Sequence, residues 1–236
     1  MPHKTNELFA RLSLADFQHI ERHIRTVEFQ QGFVLAHTHQ LIQSVYFPHS
    51  GIISCVVEAR NGDAIETGMI GKDGVFGAGQ AYDHKISLNK AMIQVPGTIS
   101  VMDSNKAREI GDAIPSFRAL LMDYDQFLFG QVQQSAACNA LHHVEPRMCR
   151  WLLRMHELAG PDLPLTQEFL AQMMGVRRTS VTGVAQNLQK EGLISYARGH
   201  VHILDVEAVR RRSCECEEDV RSHHRVIFRN HGSGEP

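Results

Sequence analysis

Short apolar runs separated by turn residues dominate residues 27–102. Asn61 and Gly62 lie between two such runs, and both residue types tolerate the positive φ that a tight hairpin turn requires. Several short strands at this spacing imply a sandwich or barrel. Four apolar residues before it fall at helical spacing and predict a helical cap: Leu8, Leu12, Phe17 and Ile20.

Residues 115–142 predict one long helix, because they contain no proline after Pro115 and one glycine, Gly130. Apolar residues in this helix follow steps of four and three, which places them along one stripe. The apolar part of the stripe consists of Phe117, Leu121, Tyr124 and Leu128. The same rhythm continues through the more polar second half with Gln131, Ser135, Cys138 and His142. The stripe could pack on the chain's own barrel or against a second copy in a dimer. The length of the helix favours the dimer, since a small barrel cannot cover so many turns.

A compact helical region follows, in which "VEPRMCRWLLRMHELAG" predicts a helix that Gly160 ends. In "PLTQEFLAQMMGV", Thr166 can cap the next helix. Gly175 lies just past the end of that helix, where a left-handed residue lets the chain turn sharply. A further helix in "RRTSVTGVAQNLQKEG" completes a helix-turn-helix, and "LISYARGHVHIL" predicts a two-stranded wing around Arg198 and Gly199.

The first two turns of the last of these helices are rich in groups that suit DNA. The second helix of a helix-turn-helix inserts its N-terminal end into the major groove. Arginine can donate two parallel hydrogen bonds to guanine, and hydroxyl groups suit base edges or phosphates. The alternative is a structural helical hairpin with exposed charges. The candidate DNA-binding residues are Thr166, Gln167, Arg177, Arg178, Thr179, Ser180, Thr182 and Arg198.

The order of these parts resembles the Crp/Fnr family of bacterial transcription regulators over nearly all of residues 5–204. "LTQEFLAQMMGVRRTSVTGVAQNLQKEGLI" is similar to that family's DNA-binding signature, and "FPHSGIISCVVEARNGDAIETGMIGKDGVFGAG" resembles its middle barrel strands and phosphate-binding turn. The resemblance implies an α+β fold in which an N-terminal jelly-roll-like β-barrel, the cyclic-nucleotide-binding-like sensor, is followed by a long dimerisation helix and a C-terminal winged helix-turn-helix. The expected domains are 1–114 (barrel), 115–142 (dimerisation helix), 143–212 (DNA-binding domain) and 213–236 (flexible tail).

Family members that bind cyclic AMP use a glutamate after the glycine of the phosphate-binding turn and an arginine on the next segment. Here Ala78 follows Gly77, and Asn89 beside Lys90 stands at the arginine position. A phosphodiester in an apolar pocket needs a fixed cation, which asparagine does not supply. We therefore expect an unknown small-molecule effector rather than cyclic AMP. The candidate pocket residues are Gly74, Gly77, Ala78, Asn89 and Lys90.

The five cysteines are odd in number and irregularly spaced, so we expect reduced thiols. Residues 1–54 contain no cysteine. The iron–sulfur cluster of the family's oxygen-sensing branch is therefore not expected, because Cys55 alone cannot supply its thiolates. Cys214 and Cys216 have acidic neighbours and are interpreted as part of a solvated tail. The alternative for these two cysteines is a zinc site that they would share with four histidines: His200, His202, His223 and His224. No metal or cofactor is expected.

Two features at the end of the predicted long helix each have two possible interpretations. Cys138 on the dimer stripe is either a small buried apolar residue or half of an intersubunit disulfide. His142 and His143, at the join with the DNA-binding part, form either a polar hinge or a pH or metal switch.

Composition narrows the function less than these patterns do. With 236 residues and 43% hydrophobic residues the chain can bury a real core, but its net charge of −2 gives no general argument for nucleic acid. No apolar run could span a bilayer and no signal peptide is recognisable, so a cytoplasmic location without a membrane partner is expected. No catalytic set of residues is recognisable, and we expect no enzyme.

These observations favour a homodimeric, sequence-specific regulator that binds double-stranded DNA at a palindromic operator. The resemblance also implies RNA polymerase as a partner. The alternative is a ligand-binding or protein-interaction module with a vestigial helix-turn-helix. Arg177 and Arg178 discriminate between the two, because a degenerate DNA-binding helix has no use for such groups.

Overall fold

The computed structural model describes residues 5–81 and 86–229. Two short helices, α1 (Glu7–Ala10) and α2 (Leu14–Glu21), stand where the apolar spacing predicts one capping region. Asn6 accepts the backbone N–H of Leu8 at 3.1 Å, and Ser13 caps the second helix. Because Ser13 caps a new helix, the apolar residues that predicted one helix are divided between two. Leu8, Phe17 and Ile20 are buried in the barrel core, as expected of a cap.

Seven strands lie in the described residues of the barrel region, which confirms the predicted β-rich front. The strands are β1 (Arg25–Phe29), β2 (Val34–Ala36), β3 (Ser44–Pro48), β4 (Ile52–Glu58), β5 (Ala64–Ile70), β6 (Lys90–Val95) and β7 (Gly97–Asp103). One antiparallel sheet has the order β1-β7-β3 and the other β2-β6-β4-β5. Phe47 of the first and Ile93 of the second belong to one buried cluster, so the two sheets enclose a common core. The predicted turn at Gly62, with φ +89°, joins β4 to β5.

Three helices follow within or after the barrel: α3 (Ala78–Ala81), α4 (Ser104–Ala113) and α5 (Pro115–Leu141). The predicted long helix is present, but its predicted dimer stripe lies against its own barrel. Phe117, Leu121 and Tyr124 are at most 1% exposed, and Leu128 packs partly buried against the same core. Phe117, Leu121 and Tyr124 are therefore not available to a second copy, contrary to the expectation, whereas Leu128 stays partly exposed. The length of α5 favoured a dimer contact, but its apolar stripe from Phe117 to Leu128 packs on the barrel of the same chain.

The second half of the chain builds a second core from all of its elements except the last helix, which packs into the barrel core. Its elements are α6 (Val144–Ala159), β8 (Asp162–Pro164), α7 (Gln167–Met174), α8 (Arg178–Lys190), β9 (Ile194–Ala197), β10 (His200–Ile203), α9 (Val206–Arg212) and α10 (Cys216–Phe228). The predicted wing is β9 and β10, and β8 adds a third strand in the order β8-β10-β9. Among the helices of the described ranges, none has the length and apolarity to cross a membrane.

Helix α10 replaces most of the flexible tail expected after residue 212. Val220 and Phe228 join the barrel core, where the ring of Phe228 lies 6.5 Å from that of Phe127. Arg11 Nη1 also donates a 3.1 Å hydrogen bond to the carbonyl oxygen of Phe228. The segment is polar in composition, but its few apolar residues share one face of the helix. That face packs on the barrel core. Residues 230–236 of the expected tail lie outside the described residues.

Candidate nucleic-acid interface and its junction with the barrel

Gly175 forms the predicted turn of the helix-turn-helix. Its φ of 62° and ψ of 40° are left-handed, and its N–H donates to the carbonyl oxygen of Gln172 at 3.0 Å. At the other end of α7, Thr166 Oγ1 accepts the N–H of Phe169 at 3.1 Å. A Cβ at position 175 would lie 2.8 Å from Ile65 Cδ1 of the barrel. The left-handed backbone conformation favours glycine here, and a larger residue would also displace the Ile65 side chain.

Helix α8 separates a buried face from a polar one, as its sequence predicts. Val181, Ala185 and Leu188 are at most 3% exposed and hold the helix to the small core. The opposite face carries the candidate DNA-binding residues at its N-terminal end: Arg177, Arg178 and Thr179 are exposed, and Ser180 and Thr182 are partly exposed. The polar groups therefore form a continuous surface at the helix start.

The wing closes this surface on one side. Thr166, Gln167, Arg178 and Arg198 line one concave surface together with Tyr196. Four of the predicted residues thus come together from two helices and the wing. Their side chains form a shallow cationic depression, because two of them are arginines.

Two hydrogen bonds and an ion pair organise the depression. The Thr182 hydroxyl lies 2.7 Å from Gln167 Oε1 and 3.0 Å from the carbonyl oxygen of Arg178. Thr182 is thus already bonded within the protein, and it positions Gln167. Arg178 pairs with Glu168 at 3.6 Å, but both side chains are more than 60% exposed. Such a surface pair is weak, so Arg178 can exchange the carboxylate for a phosphate or base.

The glycine-rich turn proposed as a phosphate cradle is filled by the chain itself. A Cβ on Gly74 would lie 2.0 Å from the Tyr124 hydroxyl, so the tyrosine side chain covers this backbone. Gly77 has φ +89°, and a Cβ there would meet the carbonyl oxygen of Ser44 at 2.8 Å. Ala78 is only 2% exposed. These three positions are occupied by internal packing.

The two polar candidates of the pocket also have partners within the chain. Lys90 Nζ forms a 2.8 Å ion pair with Glu58 Oε1 across the sheet. The carbonyl oxygen of Asn89 accepts the Ser87 hydroxyl at 2.7 Å. The one cation expected near a bound phosphate is thus already neutralised by a carboxylate.

A cavity of about 190 Å³ lies elsewhere in the described part of the chain, between β5, α5, α6 and α10. None of the five predicted pocket residues lines it. Its walls carry charges of both signs, among them Glu66, Asp73, Arg150, Arg154, Glu217 and Arg221. Sequence reasoning missed this cavity because its walls come from four distant segments, including the helix mistaken for a tail.

Glu66 joins the barrel to α6 of the second half of the chain at this cavity. Trp151 Nε1 of α6 donates a 2.7 Å hydrogen bond to Glu66 Oε1, and the Ser54 hydroxyl donates to Oε2. Burial raises the pKa of Glu66 to about 7, although both hydrogen bonds act to lower it. The carboxyl group is therefore able to change charge near neutral pH at the contact between the two parts.

Two arginines of α6 fix the same junction. Arg154 Nη2 lies 2.6 Å from Asp73 Oδ2, and both side chains are largely buried. Arg147 Nη2 donates a 2.6 Å hydrogen bond to the carbonyl oxygen of Met174, at the end of α7. Helix α6 thus connects the barrel directly to the turn of the helix-turn-helix.

Residues 146–212 match the family model of the Crp-like helix-turn-helix domain. That range includes the interface described above, from most of α6 to the end of α9. No curated protein sequence matches the chain.

Solved structures match nearly the whole fold. FixK2 from Bradyrhizobium japonicum has a TM-score of 0.69 at 9% identity, over 81% of this chain and 98% of its own. TTHA1359, a transcriptional regulator of the CRP/FNR family from Thermus thermophilus, gives 0.66 at 20% identity, over 80% and 98%. The c-di-GMP responsive global regulator CLP from Xanthomonas campestris gives 0.64 at 14% identity, over 81% and 99%. At these identities the similarity shows a shared fold.

Proposed function

We propose that this chain, a Crp-like helix-turn-helix domain joined to a barrel of the Crp/Fnr-type fold, is a sequence-specific DNA-binding transcription regulator rather than an enzyme. It acts as a homodimer in the cytoplasm on a palindromic operator, with RNA polymerase as a further partner and a small molecule as effector. The observation that carries the proposal is the exposed arginine and hydroxyl surface at the start of α8, beside the wing.

The position of that surface supports a reading role. The N-terminal end of α8 is the part that can reach base edges, while its buried residues hold the helix in place. Among the described residues no side chain caps α8, so its first backbone N–H groups and the positive end of its dipole suit phosphate oxygens. Arg177 and Arg178 add charge at the same end. Arg198, which lines the same depression from the wing, is a third arginine. It lies where a wing would contact the DNA backbone.

The face of α5 turned away from the barrel supports a dimer. Met122 is 36% exposed and Phe129 is 63% exposed. With Ala136, which is also exposed, they follow seven-residue spacing, the repeat of paired helices. This stripe, unlike the one buried on the barrel, is open to a second copy. Two copies of α8 would then lie about 34 Å apart, one turn of DNA, and would require a palindromic operator.

Substitution of the arginines tests the DNA-binding role. If Arg178 donates to a guanine, Arg178→Ala should cost about 1 to 3 kcal/mol on the operator and relax preference at one base position. If Arg177 binds phosphate, Arg177→Ala should weaken binding evenly across sequences and lower the salt slope by about one. Titrations against operator and scrambled DNA at two salt concentrations measure both effects.

Arg22→Ala is the matched control, because Arg22 is an exposed arginine at the end of α2 in the barrel. It should leave affinity, specificity and salt slope unchanged. Unchanged binding by Arg177→Ala and Arg178→Ala, with the fold intact, would exclude α8 as the reading helix. It would favour a ligand-binding module with a vestigial helix-turn-helix.

Cyclic AMP is not expected to control this regulator at physiological concentrations. Ala78 and Asn89 replace the carboxylate and guanidinium of cyclic-AMP-binding relatives, and Lys90 is paired with Glu58. Titration calorimetry of the full chain with cyclic AMP should show no micromolar binding. Micromolar affinity together with tighter operator binding would contradict this, and Lys90→Ala would then test whether Lys90 is the phosphate partner.

A further inference from the structure

Three cysteines and one histidine from distant parts of the chain converge at the end of α5. Cys138 and His142 lie one helical turn apart, and Cys214 and Cys216 lie just before and at the start of α10. Their ligand atoms, three Sγ and one imidazole nitrogen, all lie within 4.8 Å of one another. Cys138 and Cys214 are 76 residues apart in sequence, so the spacing of the cysteines along the chain does not predict the cluster.

Two of the separations between ligand atoms match the edges of one tetrahedron. Sγ of Cys138 lies 3.5 Å from Sγ of Cys214, and Sγ of Cys216 lies 3.6 Å from Nδ1 of His142. Sulfur at about 2.3 Å and nitrogen at about 2.0 Å from a tetrahedral Zn²⁺ place neighbouring ligand atoms about 3.4 to 3.8 Å apart. The sulfurs are too far apart for a disulfide bond, and all five cysteines are free. A single ion fits this set of ligands.

The surroundings orient and shield the ligands. Glu215 Oε1 lies 3.2 Å from Nε2 of His142, which places the proton on Nε2 and leaves the lone pair of Nδ1 towards the sulfurs. The three thiols are at most 8% exposed. Arg147 and Arg150 act electrostatically on Cys138, so positive charge faces a group that metal binding requires as a thiolate. A histidine held by a carboxylate beside buried thiols is the usual environment of a bound zinc ion.

We propose that Cys138, His142, Cys214 and Cys216 bind one Zn²⁺ ion in a closed, structural Cys₃His site. Thiolate and imidazole ligands select zinc over the harder cations, and four protein ligands leave no open position for catalysis. Binding replaces up to three thiol protons, which pass to solvent, by the metal. The ion ties the end of α5 to the start of α10 beside His143, where the chain enters the DNA-binding domain. The cysteines expected in a solvated tail thus take their partners from the long helix, not from the histidines around them in sequence.

The test uses the full chain, purified under reducing conditions and loaded with Co²⁺ or Zn²⁺. Tetrahedral thiolate coordination of Co²⁺ should give visible d–d bands and a near-ultraviolet thiolate-to-metal band, and Zn²⁺ should displace them at about one ion per chain. Cys214→Ala and His142→Ala should lower zinc affinity by at least about 100-fold, whereas Glu215→Gln should lower it by about 10- to 100-fold at unchanged stoichiometry.

Cys149→Ala is the matched control, since Cys149 is equally buried but lies in the core of the DNA-binding domain. It should keep the cobalt spectrum and the zinc stoichiometry. The wild-type spectrum needs no variant, so a folding defect cannot obscure it. The proposal is overturned if reduced wild-type protein gives no thiolate band with Co²⁺. It is equally overturned if Cys214→Ala binds zinc as tightly as Cys149→Ala, or if mass spectrometry finds a Cys138–Cys214 disulfide and the reduced protein takes up no metal.

Discussion

Phe129→Glu is expected to convert the proposed dimer into monomers and to lower operator affinity by about 10²- to 10⁴-fold, the gain that a second linked half-site provides. Phe129 is 63% exposed in the single chain and lies at the centre of the outward stripe of α5. A carboxylate there would face its own copy across the two-fold axis, where like charges repel in a desolvated contact. Sedimentation at micromolar concentration and a DNA titration measure the two effects.

Leu14→Glu is the control, because Leu14 is 65% exposed on α2, whose Asp16 contacts α5 at Ser116, near the start of α5 and 13 residues before Phe129. It introduces the same charge at a similarly exposed apolar residue and should leave the protein dimeric. Wild-type protein that sediments only as a monomer, with or without DNA, would show that α5 does not pair. A dimer that survives Phe129→Glu would place the interface on another surface.

The second large effect is a loss of stability as the pH rises towards neutrality, caused by Glu66. Its pKa is raised from 4.5 to about 7 in the folded protein, so the folded state binds the proton more tightly than the unfolded chain. The stabilisation is complete below about pH 4.5 and is lost as the pH rises through about 7. The shift corresponds to roughly 2 to 4 kcal/mol of unfolding free energy.

Urea unfolding of the wild-type protein and Glu66→Gln from about pH 5 to about pH 8.5 isolates this contribution. Glutamine keeps an acceptor for Trp151 or Ser54 but cannot ionise, so the stability of the wild type relative to the variant should fall with pH. Glu157→Gln is the control, because it also removes a carboxylate from α6, the helix that carries Trp151. The side chain of Glu157 is 48% exposed. Parallel pH profiles for the wild type and Glu66→Gln would show that Glu66 does not titrate in this range.

Local signals account for the features that the sequence predicts well. Gly175 is preceded by a capped helix and followed by a hydroxyl-rich helix start, and each of these signals depends on a few neighbouring residues. The wing follows from Arg198 and Gly199, which both adopt the positive φ that a tight turn requires. The helix-turn-helix could therefore be located from its sequence to within a residue or two.

Non-local packing decides the features that the sequence predicts poorly. Helix α5 has two apolar stripes, and only the position of the barrel shows that Leu121 is covered while Phe129 is exposed. The acidic segment containing Cys216 reads as solvated until α5 and α10 are brought together. Glu66 has no local signal at all, because its partner Trp151 lies 85 residues away.

The contact of Arg11 with Phe228 has a consequence for synthesis on the ribosome. The two residues are 217 positions apart, and the guanidinium also lies 5.1 Å from the centre of the phenyl ring. Domains generally fold in the order in which they emerge, so the barrel and α5 are complete while α10 is still being translated. Until then Phe127, which is 1% exposed in the finished fold, lacks the cover of α10. We expect a nascent chain stalled near residue 212 to expose this apolar patch to chaperones and to lose it once α10 is released.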